Sequence, residues 1–328
     1  TNPEDLLTDP QLRTAHRNLL RYMAARWGAD PALAAWTLWI EVDGATNRGV
    51  ADWHQEMTTE LRRHDSRAHP ISTEFRSATD HPATFGLPEI DFTQVAAYDA
   101  NGLINTFQTR AATFKNYYKP LLLEEYGGHS TGGTPHWLAQ QIHDGPWAGL
   151  MVDIAATPMP WWWSFIFSQN LDRHLARFAA FIKDEDLSTT EWQFKTETYP
   201  TATPQLTTFW RSSTQTAYAW ICRQDLTNIP PPKRRHHNWW TYAREISSTY
   251  DQNRTSWDPL ATTPGPQFPA TTLTLNLAHL TPGNWHYQLW DTWTTTPPQA
   301  GNITISTNTT ITLPPLTRDT AIKFTKLH

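Results

Sequence analysis

Two carboxylate positions in this sequence each follow a short apolar run. The run 34–40 leads directly to Glu41, and the run 121–123 leads to Glu124 and Glu125. A continuous apolar run is typical of a strand buried on both faces of a parallel sheet. In parallel α/β proteins the chemistry lies at the carboxyl ends of such strands. Glu41 and Glu125 are therefore candidates for the two carboxylates with which a retaining glycosidase cleaves its substrate.

The elements around these runs alternate between helix and strand up to about residue 187. This alternation is typical of parallel βα units in a wound sheet or barrel. The predicted helices are 10–28, 52–63, one within 102–118, 135–143 and 172–182. The five predicted strands are the run before Glu41, 69–75, 90–98, the run before Glu125 and 148–155.

The pattern changes in the last part of the chain. Runs rich in β-forming residues and bounded by Pro, Gly and Asn occur at 206–226 and 270–327, and they predict a small antiparallel β-sandwich. A Pro-punctuated stretch around 228–268 separates them and is interpreted as an inserted loop. The predicted domains are therefore an α/β portion, 1–187, and a β-sandwich, 188–328.

The composition limits the possible classes of function. A net charge of −5 over 328 residues argues against nucleic acid as the main partner. The single cysteine, Cys222, excludes an internal disulfide, and no apolar run reaches the length of a membrane span. The 18 tryptophans fit either core packing or stacking on sugar rings. The Thr- and Pro-rich C-terminal third favours an extracellular or cell-surface location.

Five segments of the chain resemble a known family when they are taken in order. They are RYMAARWG at 21–28, AWTLWIEVD at 35–43, PLLLEEYG at 120–127, the tryptophan-containing stretch 147–163 and the C-terminal stretch 283–321. They resemble the family-5-like (clan A) retaining glycoside hydrolases, which are (β/α)8 TIM-type barrels, some of them followed by a β-sandwich. The resemblance implies that residues 1–187 form strands four to eight of such a barrel.

The resemblance also implies a role for each candidate residue. Glu125 would be the nucleophile and Glu41 the general acid and base, and their separation of 84 residues fits three βα units of about 30 residues each. Glu124 is expected on the opposite side of its strand, as a structural residue. The substrate-binding candidates are aromatic: Trp39, Tyr98, Trp161, Trp162 and Trp163. No metal or cofactor is expected, because no His or Cys cluster has the spacing of ligands.

The sequence departs from the family at positions that bear on activity. Where the family has an Asn whose amide contacts the sugar 2-hydroxyl, this chain has Ile40. The family's strand-six His corresponds to about Ala97, and the acidic residue expected after the tryptophan cluster corresponds to Ser164. Two functions therefore remain open. One is a retaining hydrolase of β-linked polysaccharide or oligosaccharide; the other is a decayed glycosidase-like structural or carbohydrate-binding subunit.

The pattern also lacks the front of a barrel. The strand that would be fourth begins at about residue 33, whereas a full barrel takes about 250 residues. Five parallel strands with an open edge would expose unpaired backbone groups. We therefore expect an upstream segment or a companion polypeptide to supply strands one to three. The opening residue, Thr1 rather than Met, fits a processed protein or a fragment.

Overall fold

The computed structural model describes residues 2, 4–46, 48–76, 79, 81–98, 102–128, 135–188, 191–200, 202, 205–223 and 268–327. The predicted inserted loop around 228–268 lies outside the described residues, except for Phe268. The chain divides into two compact units: unit 1 is Thr1–Ala97, Gln108–Tyr126 and Ile154–Met159, and unit 2 is Tyr98–Phe107, Gly127–Asp153 and Pro160–His328. The predicted domain boundary at residue 187 stays a prediction. Among the described helices, none is both long and apolar enough to cross a lipid bilayer.

Helices and short strands alternate in the first part of the chain. The helices are α1 (Asp5–Thr8), α2 (Pro10–Trp27), α3 (Val42–Ala45), α4 (Val50–His64), α5 (Pro82–Phe85) and α6 (Leu103–Phe114), which a 3₁₀ turn follows (Lys115–Tyr117). The strands are β1 (Trp36–Thr37), β2 (Ile71–Ser72), β3 (Glu74–Phe75), β4 (Thr93–Ala96) and β5 (Leu121–Glu125). The predicted order of helices and strands is confirmed up to β5.

Helix α2 shows why the sequence locates its ends well. The Asp9 side chain accepts hydrogen bonds from the backbone N–H groups of Gln11 (2.7 Å) and Leu12 (3.1 Å), two of the donors that a helix start leaves unpaired. Pro10 occupies the first turn, where its missing N–H is not needed. Gly28 follows the last helical residue, so the predicted helix 10–28 is confirmed.

The strands of unit 1 run parallel. They form a two-stranded sheet, β1-β2, and a three-stranded sheet, β3-β4-β5. Only Thr73 separates β2 from β3. The N–H of Glu74 on β3 donates to the carbonyl of Trp39, which follows β1, at 3.0 Å. The hydrogen bonding between the two chain segments therefore continues from the β1-β2 pair to β3. This arrangement agrees with parallel βα units, whereas the complete barrel stays a prediction.

The two faces of these strands differ in polarity. In the register of β3 and β4, Phe75 pairs with Val95, and both are buried apolar residues. The neighbouring pair is Glu74 with Gln94. Because successive residues of a strand point to opposite faces, Glu74 and Gln94 share the face away from the apolar pair.

The predicted strand at 148–155 is wrong. Those residues begin inside a helix, α7 (Pro135–Leu150), which continues through Pro146. Contact with β5 comes later, at 154–159, where the N–H groups of Ala155 and Met159 donate to carbonyls of β5 at 2.9 and 3.0 Å. An apolar run that is buried all round lacks the periodicity that separates a helix from a strand.

Unit 2 holds the helices α7, α8 (Trp163–Ser168) and α9 (Asp172–Phe181) together with most of the antiparallel structure. Its strands are β6 (Gln193–Tyr199), β7 (Leu206–Ser212), β8 (Thr216–Cys222), β9 (Thr274–Asn276), β10 (Gly283–Asp291), β11 (Gln299–Ile305), β12 (Thr310–Thr312) and β13 (Thr320–Lys326). A six-stranded sheet has the order β11-β10-β13-β8-β7-β6, and β12 pairs with β9. The predicted antiparallel sheet and the predicted helix 172–182 are confirmed.

The core of the antiparallel part explains its share of the tryptophans. Trp210 and Trp285 are fully buried and belong to one apolar cluster with Leu275 and Phe324. Strand β9 supplies Leu275 to this cluster, so the cluster joins the two-stranded and six-stranded sheets. Several of the tryptophans are therefore packing residues.

Candidate active site

Glu74 is a fully buried carboxylate on β3, with 0% of its side chain exposed. Its Oε2 accepts a hydrogen bond from the backbone N–H of Glu41, and its Oε1 has no hydrogen-bond partner among the described residues. Burial raises the pKa of Glu74 to about 7, the bond from Glu41 opposes this, and the charges of Glu125, Glu41 and Asp43 raise it further. The two predicted catalytic carboxylates therefore both act on one buried acid.

Glu41 is exposed and lies at the start of α3, in a left-handed backbone conformation (φ 53°, ψ 43°). Such a conformation costs a residue other than glycine about 1–3 kcal/mol and persists only where the surroundings hold it. Two hydrogen bonds hold it here: the Glu41 N–H donates to Glu74, and the Glu41 carbonyl accepts from Gly44 N–H at 2.9 Å. The predicted strand residue is thus a strained helix cap, four residues beyond the end of β1.

Glu125 is the last residue of β5, as predicted. A β-bulge changes which way the adjacent acids point: Val95 pairs with Leu123, but Ala96 pairs with Glu125, so Glu124 is the additional residue. Ala96 lies two residues after Gln94 and shares its face, so the bulge puts Glu125 on that face as well.

The prediction that Glu124 points to the opposite side is wrong. Its Oε2 accepts a hydrogen bond from Gln94 Nε2 at 2.7 Å, and Gln94 Oε1 in turn accepts one from the Thr37 hydroxyl at 3.0 Å. These contacts cross from β1 to β5 on the face that carries Glu74. We call Glu74, Gln94, Glu124 and Glu125 the carboxylate face.

An open cavity of about 340 Å³ lies on the Phe75 side of β3, and no residue of the carboxylate face lines it. The N-terminal turn of α4, Phe75 and the stretch from His81 to Thr84 line it. The His81 ring stacks on Phe75 with centroids 3.7 Å apart, and His81 Nε2 lies 3.9 Å from a carboxylate oxygen of Asp43. Because Phe75 points to the opposite face of the strand from Glu74, this cavity does not open onto the acids.

The predicted substrate-binding aromatics have different surroundings. Trp39 packs edge-on against His16 of α2 and Trp53 of α4, with ring centroids 6.1 and 5.4 Å apart. Tyr98 is half-buried and follows β4 by two residues. Both residues stay predictions as sugar contacts.

The three consecutive tryptophans belong to unit 2 and differ in exposure. Trp162 is buried, and its Nε1 donates to the carbonyl of Gly127 at 2.6 Å. Trp161 packs against the same apolar cluster, whereas Trp163 is 63% exposed. A sugar platform needs a free ring face, so burial excludes Trp162 and leaves Trp163 as the candidate with the most accessible ring.

Among family models, curated proteins and solved structures, this chain matches solved structures alone. No family model matches it, and no curated protein matches it. The solved structures that it resembles include glycoside hydrolases.

A monomeric β-xylosidase from Caulobacter crescentus CB15 is 10% identical, with 97% of this chain and 75% of that chain covered and a TM-score of 0.44. A β-glucuronidase from Ruminococcus gnavus in complex with D-glucaro 1,5-lactone is 17% identical, with coverages of 47% and 30% and a TM-score of 0.38. The Faecalibacterium prausnitzii β-glucuronidase is 17% identical, with coverages of 35% and 21% and a TM-score of 0.31.

This chain therefore spans less than a third of the length of these β-glucuronidases. At such identities and TM-scores, the likeness carries no argument about substrate or catalytic residues. The roles of Glu41 and Glu125 depend on the geometry of unit 1.

Glu74 is the functional candidate that sequence reasoning missed. It lies within the correctly predicted strand 69–75, but no role was assigned to it. The sequence carries little signal for it, because a glutamate beside a Phe in a strand is the ordinary alternation of a sheet with one solvated face. Its contact with Glu41 crosses 33 residues of sequence, and no local pattern reports such a contact.

Proposed function

We propose that this chain hydrolyses β-glycosidic bonds with retention of configuration, with Glu125 as the nucleophile and Glu41 as the general acid and base. The placement of both carboxylates around the buried acid Glu74 is the observation that carries the proposal: the Glu41 N–H donates to Glu74, and the β-bulge puts Glu125 on the same face. A retaining mechanism needs its two carboxyl groups about 5–5.5 Å apart. The contact of Glu41 with Glu74 and the shared face of Glu74 and Glu125 support such closeness.

The proposed reaction has two displacements. In the first, an oxygen of Glu125 forms a bond to the anomeric carbon while the bond to the leaving oxygen breaks, and Glu41 donates its proton to that oxygen. In the second, Glu41 takes a proton from water, and the water oxygen replaces Glu125 at the anomeric carbon. Each carboxylate thus returns to its starting protonation state.

Glu74 acts in this proposal as a positioning residue. Its carboxyl oxygen fixes the N–H of Glu41 and thereby supports the left-handed backbone that presents the Glu41 side chain. A raised pKa keeps Glu74 neutral in mildly acidic solution, which limits repulsion between it and the two working carboxylates. Catalytic side chains need such supporting contacts to hold their geometry.

Replacing the nucleophile tests the proposal. Purified wild-type protein and Glu125→Gln are assayed on aryl β-glycosides that include a β-xyloside and a β-glucuronide, with release of the aryl group as the readout. We expect turnover of at least one substrate by the wild type and its loss in Glu125→Gln. The exposed Glu191→Gln is the matched control and should keep wild-type turnover. Equal activity in wild type and Glu125→Gln would refute the assignment.

One observation favours a second candidate function. Ile40, which stands where the family has its sugar-binding Asn, is 61% exposed and offers no hydrogen bond to a 2-hydroxyl. A decayed glycosidase-like subunit that binds carbohydrate without cleaving it would show oligosaccharide binding on a glycan array and no turnover in the wild type. The companion segment and the extracellular location stay predictions.

A further inference from the structure

A second group of ionisable side chains lies in unit 2. His143 and Asp144 are consecutive residues of α7, and Asp319 immediately precedes β13. One ligand atom from each of these three residues lies within 4.8 Å of the other two. All three side chains are buried. They form the candidate ligand cluster, which the mechanism above does not use.

The His143 ring is fixed in one orientation. Its Nδ1 lies 3.2 Å from Nδ1 of His174, and the ring stacks on Trp293 with centroids 3.6 Å apart. Its Nε2 therefore points at Asp319 Oδ2, 3.0 Å away. A histidine that binds a metal through one ring nitrogen characteristically hydrogen-bonds through the other, which orients the ring.

Asp319 is held equally firmly. Trp220 Nε1 and the Thr292 hydroxyl donate to its Oδ2 at 3.0 and 2.7 Å, and Trp293 Nε1 donates to its Oδ1. These donors leave the carboxylate ionised and aimed at His143. Such hydrogen-bonded carboxylates are also common among metal ligands.

Asp144 supplies the independent observation that points to a ligand. Its side chain is 1% exposed, and Oδ1 accepts a hydrogen bond from Gln140 Nε2 at 2.7 Å. Its Oδ2 is buried and has no hydrogen-bond partner within the described part of the chain. A buried carboxylate oxygen without a donor is costly and calls for a bound proton or a cation.

We propose that His143, Asp144 and Asp319 bind one zinc ion through an imidazole nitrogen and two carboxylate oxygens. Zinc accepts both donor types, at about 2.0–2.2 Å, whereas the imidazole ligand disfavours magnesium or calcium. Tetrahedral ligands of one zinc ion lie about 3.4 Å apart at these bond lengths, so binding draws together ligand atoms that now lie within 4.8 Å of one another, by up to about 1.4 Å. Zinc takes the place of the proton on His143 Nε2 and of any proton on Asp144.

This site differs from the sequence expectation of no metal. His143 and Asp144 are adjacent, and Asp319 follows His143 by 176 residues, so no ligand spacing is visible in the sequence. The site has no part in the glycosidase proposal, and the two proposals can fail separately. Because its three ligands are buried, an ion held here would stabilise the fold rather than act in catalysis.

Metal content tests the proposal directly. The full chain is produced in zinc-supplemented medium, passed through gel filtration and analysed for metal per chain by mass spectrometry. Asp144→Asn removes one ligand but keeps the size of the side chain and an oxygen for Gln140, so it should fold. His286→Gln removes a half-buried histidine on β10, outside the candidate ligand cluster, and controls for binding by other histidines. We expect about one zinc per chain in the wild type and in His286→Gln, and less than a tenth of that in Asp144→Asn.

Thermal unfolding with and without a chelator gives the second readout. Chelator should lower the unfolding midpoint of the wild type and leave that of Asp144→Asn unchanged. The proposal is overturned if the wild type carries no zinc, or if the zinc content of Asp144→Asn equals that of the wild type. It is also overturned if the chelator shifts both proteins alike.

Discussion

Replacing Glu74 by Gln should change how the stability of the protein depends on pH. The Glu74 carboxyl has a pKa of about 7 in the folded chain and 4.5 in the unfolded chain. Between these two pH values it therefore takes up a proton when the chain folds. The stability that it contributes is complete below about pH 4.5 and is lost as the pH rises through about 7. The displacement of the pKa corresponds to about 3 kcal/mol. Gln has the same shape, keeps an oxygen for the Glu41 N–H and does not ionise.

The assay is urea unfolding of both proteins at pH 4 and pH 8. We expect the free energies of unfolding to agree within about 1 kcal/mol at pH 4, and Glu74→Gln to be up to about 3 kcal/mol more stable at pH 8. The difference between the proteins is the useful quantity, because other buried groups titrate in the same range. Glu191→Gln, at an exposed position, should change stability by less than about 0.5 kcal/mol at either pH. A Glu74→Gln effect of equal size at pH 4 and pH 8 would refute the buried-acid reasoning.

Three further predictions concern other parts of unit 1 and unit 2. Burial lowers the pKa of His54 to about 4. The stability that neutral His54 contributes is present above about pH 6.5 and is lost as the pH falls toward about 4. In urea unfolding, His54→Gln should therefore reduce the acid-induced loss of unfolding free energy by up to about 3 kcal/mol. Gly301→Ala places a methyl group 2.7 Å from the hydroxyl oxygen of Tyr287 on the neighbouring strand, so it should lower the free energy of unfolding by about 1–3 kcal/mol. Gly44→Ala is the control: its methyl group lies 3.7 Å from the nearest atom and should leave stability unchanged. Glu41→Gln should slow hydrolysis of aryl glycosides with poor leaving groups by about 10²–10⁴-fold and those with strongly acidic leaving groups far less, and equal slowing would argue against a general-acid role.

The sequence predicts the parts of the fold that depend on local signals. Helix α2 is bounded by Asp9 and Gly28, whose preferences for helix ends are intrinsic to the residues. The predicted strand at 148–155 failed because Ala148 and Leu150 belong to a stretch that is buried on all sides. Pro146 also reads as a helix stop, although the surrounding helix tolerates it.

The candidate site is predictable only in part. Glu125 ends its strand as expected, but the bulge that turns it onto the face of Glu74 depends on pairing with β4, which its own sequence does not encode. The left-handed conformation of Glu41 likewise depends on the acceptor that Glu74 supplies. Contacts between strands that are distant in the chain decide both features.

The most direct test of the central claim is to trap a covalent bond between Glu125 and the sugar. A 2-deoxy-2-fluoro β-glycoside with a good leaving group slows the second displacement, so the intermediate accumulates and is seen by mass spectrometry of the intact protein and its peptides. We expect a mass increase of one fluoro-sugar, located on Glu125 and absent from Glu125→Gln. Turnover of glycosides with the label on another residue, or with no label at all, would contradict it.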